Sequence, residues 1–81
     1  MALALSAFEK GDYTRTQAIL LPLSLKKHTE ALTWLGLMHE LGLGVDLDDI
    51  LSELYLRQAT VRGDVAAARY MAWKFSGSAK S

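Results

Sequence analysis

The sequence predicts an all-α fold, and three observations carry that prediction. Leucine and alanine are abundant, whereas Val, Ile and Thr never form a period-two run bounded by turns, so nothing reads as a strand. Apolar residues recur at three- and four-residue spacing, which gathers them on one face of a helix. Gly11, Gly42, Gly63 and Gly77 each follow such a segment, where a residue in the left-handed conformation closes a helix.

Five helices follow in order. The first covers about Ala2 to Lys10 and stops at Gly11. Asp12 caps the second, from about Tyr13 to Leu25, in which Pro22 removes one backbone donor and predicts a bend or an irregular last turn. Thr29 is the expected N-cap of the third, whose Leu32, Leu35, Met38 and His39 share a face up to Gly42. The fourth follows Asp48 or Asp49 and carries Ile50, Leu51, Leu54 and Tyr55 before ending at Gly63. Asp64 caps the fifth, with Ala67, Ala68, Met71, Ala72 and Phe75 as its apolar stripe up to Gly77. Residues 1–77 read as one domain, and residues 78–81, the end of the closing SGSAKS, as a disordered tail.

Composition narrows the function classes. A chain of 81 residues is one small domain at most, burying roughly 60 per cent of the surface its unfolded chain exposes. With 51% hydrophobic and 22% charged residues it belongs with globular proteins and not with disordered ones. Nine basic residues balance nine acidic ones, so no overall field draws the chain onto nucleic acid or an anionic membrane. The distribution is uneven: Glu30 to Glu53 holds six acids and no bases, and Arg57 to Lys80 holds five bases with Asp64 as the one acid. Such polarity fits either solvated faces or end-to-end stacking of molecules. No apolar run approaches the ~20 residues that span a bilayer. MALALSAF lacks the basic leader and long apolar core of a signal peptide, which predicts a soluble chain and leaves the compartment open between, for example, bacterial cytoplasm and periplasm.

Sliding the chain against itself by 36 residues places Ala31 over Ala67, Leu35 over Met71, Gly36 over Ala72 and His39 over Phe75. A recurring helix pair is the mark of a solenoid. The string A31-x-x-x-L35-G36-x-M38-H39-x-x-G42-x-G44-V45-x-x-D48, followed by Y55-L56-R57-x-A59-x-x-x-G63, resembles one full Sel-one-like repeat, a tetratricopeptide-related unit with a longer loop between its helices. G11-D12-Y13-x-x-T16 with L20-x-P22-L23 is similar to the partial unit that often leads such arrays. The likeness covers about residues 2 to 77. It implies a right-handed α-α superhelix of about five helices and roughly two and a half repeats. Four positions depart from the family pattern: Ser52 and Thr60 stand where it usually has alanine, His39 where it has tyrosine, and Lys27 where it usually has glycine.

The glycines then read as packing and reversal devices. Gly36 lies inside a helix at a cost of about 1 kcal/mol relative to alanine, tolerable where a neighbouring helix comes close. Gly44 permits a positive φ before Val45 plugs the gap between helices. A phosphate-binding reading of Gly42-x-Gly44 lacks the strand before it and the helix start directly after it. Asp46, Asp48 and Asp49 lack the glycine and distal glutamate of a calcium loop, and capping the fourth helix explains them better. His28 and His39 lie on different elements and make a poor ligand pair, His39 being an interior packing residue. Without cysteine there is no disulfide, thiolate site or cysteine nucleophile. No cofactor, metal or catalytic group is expected, and the chain reads as a non-enzymatic adaptor or scaffold.

The partner is expected to be a protein or peptide, with no nucleic acid and no membrane. In the resembling fold the first helix of each repeat lines the concave side, which would align Trp34, Leu37, Leu41, Tyr70 and Trp73 as a binding ladder extended by Leu5 and Phe8. The same aromatics can equally fill inter-repeat core, and both readings stand for Trp34 and Trp73. The alternative function is self-assembly: Val65, Ala68, Tyr70, Met71 and Phe75 sit on a half repeat without a successor helix, so a weak homodimer through the fifth helix is expected.

Overall fold

The computed structural model describes residues 1–75. Five helices follow one another, α1 (Ala2–Glu9), α2 (Tyr13–Leu25), α3 (Thr29–Leu41), α4 (Asp49–Val61) and α5 (Val65–Phe75), with no strand among the described residues. The expected domain limit at residue 77 and the tail beyond it lie outside the described residues.

Short-range chemistry sets the helix starts. Asp12 accepts from the Arg15 amide at 3.2 Å, Asp48 from Leu51 at 3.0 Å and Asp64 from Ala67 at 2.9 Å, so each side chain satisfies one of the amides a helix start leaves without a partner. At α3 the cap is His28 and not Thr29: its Nδ1 accepts from the Ala31 amide at 3.4 Å, and Thr29 is already the first helical residue. α2 runs through Pro22 without ending there. The missing donor leaves the Ala18 carbonyl on an exposed turn, where water can serve it.

The boundaries themselves repeat. α2 and α4 both have 13 residues, and Asp49 lies 36 positions after Tyr13. Val65 lies 36 after Thr29, and the caps Asp12 and His28 are matched by Asp48 and Asp64 at the same offset. Lys27 (φ 61) and Gly63 (φ 94) are a further such pair, both left-handed residues between a helix end and the next cap.

Each helix packs on its neighbour in sequence: α1 on α2, α2 on α3, α3 on α4 and α4 on α5. Two apolar clusters result. Ala4, Leu20, Ala31, Leu35 and Met38 form one, with Phe8, Tyr13, Trp34 and Val45 packed at its edge; Leu32, Leu56, Ala59 and Ala67 form the other, edged by Tyr55, Tyr70 and Met71. Only α3 feeds both. Its approach to α4 is close because Gly36 has no side chain: a Cβ there would sit 2.6 Å from Leu56 Cγ and 3.2 Å from the Ser52 carbonyl oxygen. The loop between them is held likewise at Gly44, φ 70, where a Cβ would overlap that of Tyr13. Val45 follows, packed on the first cluster as expected.

Two expectations about faces need correction. α4 buries Ser52, Leu56 and Ala59, while Ile50, Leu51 and Leu54 point outward and Tyr55 is half-buried. The inner face is set by the approach to α3: Leu56 fills the space that Gly36 leaves open, with the small Ser52 and Ala59 beside it. On α5 only Ala67 is fully buried; Ala68 and Met71 are partly covered, and Ala72 and Phe75 are exposed.

Candidate functional site

Trp34 stands where both expectations for it meet. Its ring lies 4.9 Å from that of Phe8, bridging α3 to α1, and packs at the edge of the first cluster. Its remaining surface lines an open cleft with Leu37 and Thr33 of α3, the cap residue His28, and Asp64 and Ala66 at the start of α5. Trp34 is thus wall and floor at once, and a ligand in this cleft would meet an aromatic edge already fixed by its core contacts. Leu37 is half-buried in the same cleft.

The other three ladder candidates are placed elsewhere. Tyr70 and Trp73 form a ring pair on α5 at 5.8 Å, Trp73 largely exposed and Tyr70 half-buried on the second cluster. Leu41 is exposed at the end of α3. None of these three lines the cleft beside Trp34, so the five residues divide into a cleft pair, an aromatic pair and a lone leucine. Phe8 packs against Trp34 at the edge of the first cluster.

Tyr70 also belongs to a polar cluster that sequence reasoning missed. Glu40 of α3 accepts from Lys74 of α5 at 2.6 Å and from Ser52 of α4 at 3.1 Å, with the Tyr70 hydroxyl nearby. Burial alone would raise the Glu40 pKa, but the hydrogen bonds from Lys74 and Ser52, the Lys74 charge and the Tyr70 hydroxyl outweigh it and hold the carboxyl below its ordinary value. Burial first, then the Glu40 charge and hydrogen bond, and more distantly Asp49, push the Tyr70 phenol above its usual value. This cluster ties three helices together.

Ser52, Thr60 and His39 each have a defined partner. Ser52 is fully buried and needs Glu40 for its hydroxyl; Thr60 satisfies its own by donating to the Leu56 carbonyl at 2.9 Å. His39 is buried, stacks on Tyr55 at 5.8 Å with rings 15° from parallel, and places Nδ1 3.2 Å from the Asp46 carbonyl oxygen. Among the described residues no group of three or more His, Asp or Glu is placed to hold a metal ion, and no helix is long and apolar enough to cross a membrane.

Comparison of the chain with protein-family models, with curated proteins and with solved structures yields no match. What is established is an all-helical chain with a helix pair repeated at 36 residues.

Proposed function

We propose that the chain is a short Sel-one-like, tetratricopeptide-related solenoid acting as a non-catalytic binding module for an extended peptide or protein segment. The repeat of helix boundaries, caps and left-handed turn residues at 36 positions supports the solenoid reading. The cleft between α3 and the start of α5 carries the binding reading, because Trp34 there combines a fixed ring with open surface. A pre-positioned aromatic loses little freedom on binding, which is why such residues anchor contacts. Thr33, His28 and Asp64 supply polar partners along the same walls.

The test uses peptides selected from a random display library against the unmodified chain. Binding should shift the amide resonances of Thr33, Trp34, Leu37 and Ala66, and Leu37→Glu should weaken it at least about tenfold, or ~1.4 kcal/mol. Leu41→Glu, outside the cleft, should leave it unchanged. Peptides that bind the Leu37→Glu chain equally well would overturn the assignment.

A second reading, self-association through α5, is favoured by the exposure of Val65, Trp73 and Phe75. Trp73→Glu should then abolish a dimer seen by light scattering at high concentration.

A further inference from the structure

The outer face of α4 carries bulky apolar residues of its own. Ile50, Leu54, Arg57 and Val61 succeed one another at spacings of four, three and four residues, and the three apolar members are 75%, 50% and 81% exposed, with Leu47, 63% exposed, in the loop just before the helix. That spacing is the seam of a two-helix pair. The opposite face of the same helix is already spent on α3 through Ser52, Leu56 and Ala59. Among the described residues no other helix covers the seam, and its second half opens into a groove walled on one side by Lys27, with Leu54, Arg57, Gln58, Val61 and Arg62 along the other.

Charge along the seam is polar in one direction. Asp46, Asp48, Asp49 and Glu53 cluster at the helix start, and Arg57, Arg62 and, across the groove, Lys27 cluster at its end. A helix acidic at one end and basic at the other, with an apolar strip between, complements itself when a second copy lies against it antiparallel. In parallel it would set like charges together. The two helix dipoles also oppose favourably only in the antiparallel arrangement.

We propose that α4 is the two-fold interface of a homodimer, the second copy's α4 lying antiparallel in the groove beside Lys27. In the register that sets Ile50 against the partner's Val61 and Leu54 against the partner's Arg57, the aliphatic stem of Arg57 covers the partner's Leu54. Glu53 then lies beside the partner's Arg57 on one flank. On the other, Arg62 and Lys27 overlie the acidic run at the start of the partner's α4. The symmetry is isologous and closed, so association stops at two. A single helix pair is a small interface, which makes the dimer weak and dependent on concentration. This interface adjoins the Trp34 cleft, Thr29 lining both, and differs from the α5 surface.

A mixing experiment tests it. Glu53 and Arg57 are also an ion pair within each α4, so reversing either one disturbs contacts inside the chain as well as across the dimer. Glu53→Arg gives a chain with two bases at these positions and Arg57→Glu one with two acids. Sedimentation equilibrium across a dilution series from millimolar downward should show a dimer for the unmodified chain and monomers for each variant alone. An equimolar mixture should restore a dimer, because opposite charges then meet only between copies while repulsion within each chain remains. Leu54→Glu should be monomeric with unchanged circular dichroism, and Trp73→Glu should still dimerise. A monomeric unmodified chain at millimolar concentration, or a mixture that stays monomeric, overturns the proposal; loss of the dimer in Trp73→Glu with retention in Leu54→Glu assigns it to α5 instead.

Discussion

α3 and α5 begin 36 residues apart on the same pattern, yet they are held differently. Over their first turn they agree: Ala31 and Ala67 are both fully buried, each after a side-chain cap. Further along they part. Leu35, Gly36 and His39 are buried, whereas Met71 is half-covered and Ala72 and Phe75 are exposed. The two helices carry similar apolar patterns, so pattern does not decide burial. Position does: among the described residues α3 is packed between α2 and α4, whereas α5 packs mainly on α4 and meets α3 through Ala67 and Lys74. One sequence motif thus yields a core helix and a surface helix.

The largest effect expected from this difference is at Gly36. Leucine there must displace Leu56 and press on the Ser52 carbonyl, and overpacking of that kind costs about 1–3 kcal/mol. For a chain of this length ~1 kcal/mol moves Tm by about 4–8 °C. Leucine at the equivalent Ala72 enters solvent and should change stability by less than ~0.5 kcal/mol. Thermal melts of the two variants side by side check this, and equal shifts would show that the two helices are packed alike after all.

The helix starts were legible in the sequence because caps act over three residues, and Asp12, Asp48 and Asp64 all cap where expected. Thr29 was displaced by His28 because an imidazole nitrogen can accept an amide as a hydroxyl does. The close approach at Gly36 was legible too, a mid-helix glycine being costly unless it is used. The inward face of α4 was not. Ser52 and Ala59 look like surface residues beside Ile50 and Leu54 until the distance to α3 is known, and that distance depends on residues far off in sequence. The Glu40 cluster was hidden for the same reason: Lys74 lies 34 positions away, and no local signal pairs them. Of the five ladder residues, Trp34 and Leu37 share a cleft, and periodicity alone could not separate them from Tyr70 and Trp73.

That cluster offers a smaller, pH-resolved effect, since it is the polar tie by which α3 holds α5. Glu40 has a lowered pKa in the folded chain, so it binds its proton less tightly there than when unfolded. Its stabilising contribution is therefore present above the ordinary carboxylate pKa and is lost as pH falls through the lowered folded value. Tyr70 is the reverse case: its raised pKa adds stability that is complete below the ordinary phenol value and is lost as pH rises through the folded one. Glu40→Gln should reduce stability at neutral pH and flatten the acid limb of a Tm-versus-pH curve, with the loss of protection appearing first in α5 by hydrogen exchange. An acid limb as steep as that of the unmodified chain would place the sensitivity elsewhere.

The smallest effect concerns the turns that precede α3 and α5. Gly63 takes φ 94 freely, and its counterpart Lys27 takes φ 61 against the clash of its own Cβ with the backbone. The left-handed conformation costs a residue with a side chain about 1–2 kcal/mol. Glycine would remove that strain, and it would give back roughly 0.5–1 kcal/mol through the greater freedom of the unfolded chain. It would also forfeit the exposed hydrogen bond from Lys27 Nζ to Gln58 Oε1 at 3.1 Å, a contact open to water and correspondingly weak. The balance favours Lys27→Gly by a few tenths of a kcal/mol to about 1. A denaturant midpoint that rises with unchanged slope would register this gain. Lys27→Ala separates the contributions: it removes the same hydrogen bond but keeps the Cβ, so it should fall below the unmodified chain while Lys27→Gly rises above it. If both fall equally, the bond to Gln58 outweighs the strain, and the two turns are equivalent in geometry but not in energy.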